Sequence, residues 1–364
     1  MRILQNYILK ELIGPFILSI VVFTFILLMG NLIKLAELVI TKGVGVIYVI
    51  RLFIYLIPYL LSYTIPMASL TTTLLAFGRL SSDNEIVAIK ANGISLYRIM
   101  VPVIVLGFIL SFISVILNDR ILPKTHFASR QIVKEIGMKK PTVYLEEGTF
   151  IKTFEPYIIF IYGINRNALS NIRIYETQEG KPTRIIIANR GEFITIPEKQ
   201  LLKLKLMDGS SDEPNPKDPN SFYKLDFETY YLTLDLSKYQ TSKDIEKKPK
   251  DESINELHRE IKTLKPMGVD IKPLFTEIHK KISLSFASIA FILIGLPLGL
   301  VSRRGEKSIG FGISLGLIIL YYVLLAGGEA MALKGILSPG ISVWLPNLLL
   351  GMLGIVLIYF VAER

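Results

Sequence analysis

The chain's only imidazoles are His126, His258 and His279, and it contains no cysteine. The three histidines are dispersed and share neither metal-ligand nor triad spacing. Without thiols there is no disulfide framework and no thiolate metal site. No stretch matches G-x-x-x-x-G-K-[ST], and the one Gly-Lys pair, Gly180-Lys181, is followed by Pro182. Catalytic and nucleotide-cleaving chemistry therefore have no carrier in these residues. What remains is ionic chemistry: one acid, Glu85, in a short helix-like stretch, and a set of cations suited to phosphate.

The acid lies in "GRLSSDNEIVAIKANGIS", residues 78–95. Ser82 and Glu85 have the S-x-x-E spacing of a capping box. Asp83 and Glu85 are acids in a first turn, where the helix dipole favours them. Ile86 and Ile89 share a face, with Val87 beside it, and Lys90 comes late. Asn92-Gly93 is a good C-terminal stop. The spacing predicts a helix over 82–93, framed by Gly78 and Arg79. Such a helix either rests on lipid headgroups or acts as a lever that passes force from a partner into the membrane. The chain has no domain able to hydrolyse a nucleotide, so any energy must come from a separate subunit. A protruding capped helix is a sensible docking element for one.

The elements around this stretch are membrane spans. A span needs about 18–20 apolar residues to cross about 30 Å of hydrocarbon. Six uncharged runs meet that length: Leu12–Ile33, Leu52–Gly78, Ile99–Asn118, Ile282–Ser302, Ser308–Gly328 and Gly335–Ala362. The mean hydropathy of +0.47 reflects these blocks. The first run exceeds a signal core of about 7–15 residues and no A-x-A site follows, so it reads as a retained span. Arg2, Lys10, Arg79, Lys90, Arg98, Arg303, Arg304, Lys307 and Arg364 fall on one side. Only Lys34, Lys42, Arg51 and Lys334 fall in the short loops of the other. The first side is expected to be cytoplasmic, with both termini there. These loop residues account for much of the net charge of +10, so nucleic acid is not expected as a partner.

Between spans three and four lies a polar insert, and the expected plan is 1–118, 119–250, 251–281 and 282–364. The insert is expected outside the cytoplasm. "TVYLEEGTFIKTF", "YIIFIYGI", "NIRIYET", "RIIIANRGEFITI", "QLLKLKLMDG" and "FYKLDFETYYLTLDL" are β-branched or aromatic and alternate with period two. They predict a sandwich, a jelly roll or an open barrel. "DGSSDEPNPKDPN", 208–220, reads as a loop between strands. Ile254, Leu257, Ile261 and Leu264 predict an amphipathic helix, with Ser253 and Glu256 as its capping box and Pro266 and Gly268 as its stop. Pro58, Pro66, Pro102, Pro297 and Pro346 fall within spans, and "GLPLG", 295–299, is either a hinge or a close helix contact. The expected class is an integral membrane α-helical protein with six transmembrane helices and an inserted all-β, jelly-roll-like extracytoplasmic domain.

Lys34, Lys42, Arg51, Arg120, Lys124, Arg130, His279, Lys280 and Lys281 lie near the expected outer boundary. Together they could ring a cavity mouth and pair with lipid phosphates. Snorkelling to the interface is the alternative, and Lys34 could pair with Glu37.

The stretch 78–95 resembles the cytoplasmic loop of the lipopolysaccharide-export permease family LptF/LptG. So does the plan of three spans, a β insert and three spans. "YILKEL" near the start, "PLGLVSRRGEKSIGFGISLG" and "WLPNLLLG" near the end fit as well, and "SRRG" leans toward LptF. The resemblance implies a bacterial inner-membrane subunit of an ATP-binding-cassette exporter. Two such permeases pair around a cavity open to the outer leaflet, above an LptB-type ATPase dimer that uses ATP and Mg. Lipopolysaccharide is squeezed from the cavity along the β domains toward LptC and LptA. No cofactor is implied for this chain. The resemblance puts the ATPase contact at Glu85, with Arg79, Ser82, Ile86, Ile89, Lys90 and Gly93 around it, and makes Lys34 the first substrate cation. Another lipid as cargo, or a non-transporting scaffold, are the competing readings.

Overall fold

The computed structural model describes residues 2–40, 42–139, 150–154, 156–165, 168–176, 183–196, 201–215, 218–235, 247–268, 270–301 and 307–363. The "SRRG" loop lies outside these residues. The chain divides into two compact units: Met1–Leu32, Ile54–Ala128 and Lys247–Arg364, and Ile33–Phe53 with Ser129–Glu246.

The first unit is built mainly from long apolar helices, three of which extend into the second unit at residues 33–40, 46–53 and 129–139. The helices are α1 (Arg2–Ile40), α2 (Val46–Ser82), the short α3 (Glu85–Ala91), α4 (Leu96–Ile116), α5 (Leu122–Lys139), α6 (Ile254–Leu264), α7 (Lys272–Val301), α8 (Lys307–Leu333) and α9 (Pro339–Glu363). Among the described residues, six helices are long and apolar enough to cross a membrane: Ile3–Ile40, Val46–Ser82, Leu96–Gly137, Lys272–Val301, Gly310–Leu333 and Pro339–Glu363. Every expected span is present. The third runs on well past residue 118, the expected end of the span, because a π turn at Leu117–Ile121 joins α4 to α5 without a break.

α7 is the central helix of this unit, since its apolar positions are taken up by protein all round. Leu284, Ala287, Phe291 and Ile294 pack with Leu70 and Leu74 of α2, Tyr321 and Leu325 of α8, and Val343 and Leu350 of α9. Ile292, Leu296 and Leu300 join a second cluster with Phe77, Leu80, Ile99 and Val103. "GLPLG" proves to be a close helix contact. A β-carbon on Gly299 would lie 2.9 Å from Phe77 Cβ, and one on Gly295 would lie 3.2 Å from Thr73 Cβ. Small residues four apart let the backbones of α7 and α2 approach, as close pairs of membrane helices require. α7 continues through Pro297.

The second unit contains one six-stranded antiparallel sheet. Its strands are β1 (Phe150–Phe154), β2 (Tyr157–Asn165), β3 (Ala168–Glu176), β4 (Arg184–Ile196), β5 (Leu201–Asn215) and β6 (Asp218–Asp235), and they are hydrogen-bonded in chain order. The strand domain is therefore as expected, and the described strands form an antiparallel meander. Alternation marks which side chains face inward and is silent on which strand pairs with which; short connections favour hairpins between neighbours. The inward residues Ile159, Ile161, Ile172, Ile174, Ile186, Leu204 and Leu206 are all fully buried. Among the described residues their cluster draws on the strands alone, so the sheet curls over its own apolar face. Lys203 and Lys205 alternate outward as expected.

The stretch 208–220 departs from its expected loop. β5 runs to Asn215 and β6 starts at Asp218, with Asp212 opposite Lys224 and Glu213 opposite Tyr223. Backbone pairing with a long partner strand overrides the turn-forming composition. The polar signal does leave a local mark: Asp208 takes φ 53° and binds Arg190 from β4.

Candidate functional site

α2 ends at Ser82, and α3 starts only three residues later, at Glu85. The link is made by Asn84, whose φ of 58° and ψ of 13° put it in the left-handed region. Asn accepts this conformation better than most residues. Asp83 N donates to Arg79 O at 2.9 Å and Asn84 N to Ser81 O at 3.2 Å, which closes α2. The capping box expected from Ser82 and Glu85 does not form. Ser82 belongs to the preceding helix, whereas a cap residue needs extended backbone, and no side chain caps α3. α3 is thus shorter than the expected 82–93. The far end is as expected: Gly93 takes φ 73°, and Gly93 N and Ile94 N bond back to Lys90 O and Ile89 O at 2.9 and 3.3 Å.

Freed from capping, Glu85 is held by a residue far away in sequence. The Tyr7 hydroxyl on α1 donates to its carboxylate, 3.0 Å from Oε2 and 3.2 Å from Oε1. One turn further along α1, Glu11 pairs with Arg79, which also reaches Asp83 at 3.4 Å. Arg79 is therefore a strut between α1 and α2. Ile86 is buried and Ile89 packs beside it, against Ile8, Leu12, Leu80 and Leu96. Ser81 Oγ donates to Leu300 O of α7 at 2.9 Å, tying the same loop to the central helix. Lys90 is half-buried. The outward face of α3 consists of Val87, Ala88 and Ala91, all exposed, with Val87 at 59%. The site is a short rigid helix with a small apolar outer face and an acid at its start, braced from behind by three long helices. Sequence reasoning missed Tyr7, Glu11 and the outer face. "YILKEL" held the only hint, because Tyr7/Glu11 and Ile8/Leu12 are pairs spaced four apart.

The cations fall into two groups. Lys34 and Arg51 are exposed. Lys42 faces Glu37 at 3.6 Å, so the acid that offered Lys34 an alternative partner is paired with Lys42. Arg120 and Lys124 are exposed and lie four apart in sequence. With Phe127, Lys247, Asp251 and Glu256 they line a cavity of about 360 Å³. Lys280 and Lys281 are already engaged within the protein. Lys280 binds Glu329 of α8 at 2.6 Å. Lys281 is only 4% exposed and donates to the Glu252 carbonyl. Adjacent helical residues point about 100° apart, so one lysine meets α8 and the other faces the segment before α6.

That segment is locked in place by polar contacts. Ser253 and Glu256 form the expected capping box. Asp119, in the π turn, accepts from Ile254 N at 2.7 Å, and Asn118 donates to Ser285 Oγ of α7 at 3.0 Å. Asp251 contacts His126 of α5. Burial, and the neighbouring Glu260, push the Glu252 carboxyl up to about 7. Hydrogen bonds from Lys247 and Ser253 bring Glu256 down to about 2.

Two comparisons with known proteins add to this geometry. The sequence model of the family described as lipopolysaccharide export system permease LptF/LptG matches residues 6–359. No curated protein matches the chain.

Proposed function

The chain belongs to the lipopolysaccharide export system permease family LptF/LptG, and from that membership we propose that it is the membrane subunit of an ATP-driven exporter that draws lipopolysaccharide out of the inner membrane. As a multi-pass permease it is a transport subunit of that system. In the proposed arrangement it pairs with a second permease of its type above an LptB-type ATPase dimer, which uses ATP and magnesium. α3 is the coupling helix. Its Val87, Ala88 and Ala91 face enters a groove of the ATPase, and Glu85 meets a cation there. Both termini and α3 lie in the cytoplasm. The β sheet lies in the periplasm and passes cargo to LptC and LptA.

The observation that carries this reading is the build of α3. A seven-residue helix with an exposed apolar face is too short to be stable alone. Here it is braced against α1, α2 and the chain's central helix. Force applied to it reaches the spans without bending it, which is what a coupling element needs. Lys34, Lys42 and Arg51 in one unit, and the exposed Arg120 and Lys124 in the other, supply phosphate contacts. Lys280 and Lys281 act as internal ties.

The test is affinity purification of the tagged chain in mild detergent. The account expects an ATPase to copurify, and expects Glu85→Ala together with Val87→Asp to release it while the permease pair stays intact. Retention of the ATPase by that double variant would refute α3 as the docking element.

A further inference from the structure

The start of α1 braces the coupling helix, and it does so through two contacts to α3 itself and one to the end of α2. The Tyr7 hydroxyl holds both oxygens of Glu85. Glu11 binds Arg79, next to the turn that launches α3. Ile8 and Leu12 are 1% and 2% exposed and share one cluster with Ile86. These four residues are one stripe of a single helix, at positions i, i+1, i+4 and i+5. The same helix continues into the membrane core. There Phe23 stacks on Phe311 of α8 with ring centroids 6.2 Å apart, and Thr24 donates to Thr64 of α2 at 3.3 Å.

We infer that Tyr7 is a positioning residue for Glu85, and that the start of α1 is a second arm of the coupling device. The inference rests on the coupling role proposed for α3. Glutamate has three side-chain torsions, and a free carboxylate on a seven-residue helix would sample many directions. A donor that bridges both oxygens fixes one of them. A carboxylate can accept about four hydrogen bonds, so Tyr7 can hold Glu85 while a cation of the ATPase approaches its remaining lone pairs. The contact also joins α1 to α3, so that a displaced α3 carries α1 along with α2 and α4. The Glu11–Arg79 pair one turn further on prevents α1 from rotating about the Tyr7 contact.

The experiment uses the full complex of this chain, its partner permease and the ATPase, reconstituted in vesicles. It reads lipopolysaccharide released to an acceptor per ATP hydrolysed, for Tyr7→Phe, Glu85→Ala and the double variant. Tyr7→Phe removes one exposed oxygen and leaves Ile8 and Leu12 in place. It is expected to lower the ratio by roughly threefold to tenfold, as loss of one exposed hydrogen bond of ordinary strength would. In the Glu85→Ala background it should change nothing further, because Tyr7 acts through Glu85. Should Tyr7→Phe impair assembly, Glu11→Gln probes the same arm with Tyr7 retained, and is expected to lower the ratio as well. An unchanged ratio for Tyr7→Phe, or an equal fall in both backgrounds, overturns the inference while leaving the coupling role of α3 standing. An unchanged ratio for Glu85→Ala instead removes the coupling role itself, and this inference with it.

Discussion

Tyr7 and Glu85 are 78 residues apart in sequence, yet the tyrosine hydroxyl bridges the two oxygens of the carboxylate at 3.0 and 3.2 Å. The contact changes what Glu85 does. Its carboxylate does not serve its own helix as a cap and is instead oriented from a neighbouring span. α3 therefore owes its shape to packing on Ile8, Leu12, Leu80 and Leu96 and to the left-handed turn at Asn84.

Ser82→Ala is accordingly expected to leave thermal stability unchanged, where loss of a working cap would cost about 1 kcal/mol. Asn84→Val should lower it, since a β-branched residue in the left-handed region costs roughly 1–2 kcal/mol. Thermal unfolding of the detergent-solubilised variants compares the two. A marked loss in Ser82→Ala would restore the cap.

The helix contacts make a second prediction, about glycines of α9. A β-carbon on Gly354 would lie 2.5 Å from the Leu293 carbonyl carbon, whereas one on Gly351 meets nothing within 4 Å. Gly354→Ala should push α9 away from α7 and cost roughly 1–3 kcal/mol. Gly351→Ala should be neutral or slightly stabilising. Unfolding midpoints for the pair read the difference, and equal midpoints would remove the close contact.

Lys281 and Lys124 should separate stability from lipid binding. Lys281→Met leaves the Glu252 carbonyl without its donor and should lower stability. Lys124→Gln and Arg120→Gln alter exposed side chains; they should keep stability and weaken photocrosslinking to lipopolysaccharide. The opposite pattern would return Lys281 to the substrate.

The segment before α6 should respond to pH. Glu252 is raised from 4.5 to about 7 by burial and by Glu260, so the folded state binds more protons between those values. Its contribution therefore falls as pH rises through that window and is fully unfavourable above it. Glu256 is lowered to about 2 by Lys247 and Ser253. Its contribution is present above 4.5 and is lost as pH falls toward 2. Asp119, Lys247, Glu260, Glu277 and Lys281 are the charged groups around these two acids. Protection of the α6 amides, after correction for the base-catalysed rise in intrinsic exchange, should thus be greater at pH 5 than at pH 8. Glu252→Gln, which mimics the protonated acid, should remove most of that difference.

One motif shows how far the sequence could be read. Ser253-x-x-Glu256 and Ser82-x-x-Glu85 have the same spacing, and only the first forms a capping box. Ser253 follows extended backbone, so its side chain is free to cap. Ser82 ends a span whose apolar run carries the helix through it, and the local pattern carries no information about that. The spans were legible because the hydrocarbon thickness sets their length, and the Asn92-Gly93 stop because left-handed backbone demands such residues. Strand positions were visible in the alternation of Leu204 and Leu206 with Lys203 and Lys205. Their pairing, and the extension of β5 and β6 through 208–220, were not, because hairpin register is settled by the partner strand. The contacts of Tyr7, Glu11 and the inward-turned Lys281 are all long-range, and no local spacing encodes them.

The most direct measurement is lipopolysaccharide release from vesicles that hold this chain, its partner permease and the ATPase. The account predicts release that requires ATP and the ATPase, and that falls several-fold in a fully assembled Glu85→Ala complex. Release without the ATPase, or at an undiminished rate in that variant, would contradict it.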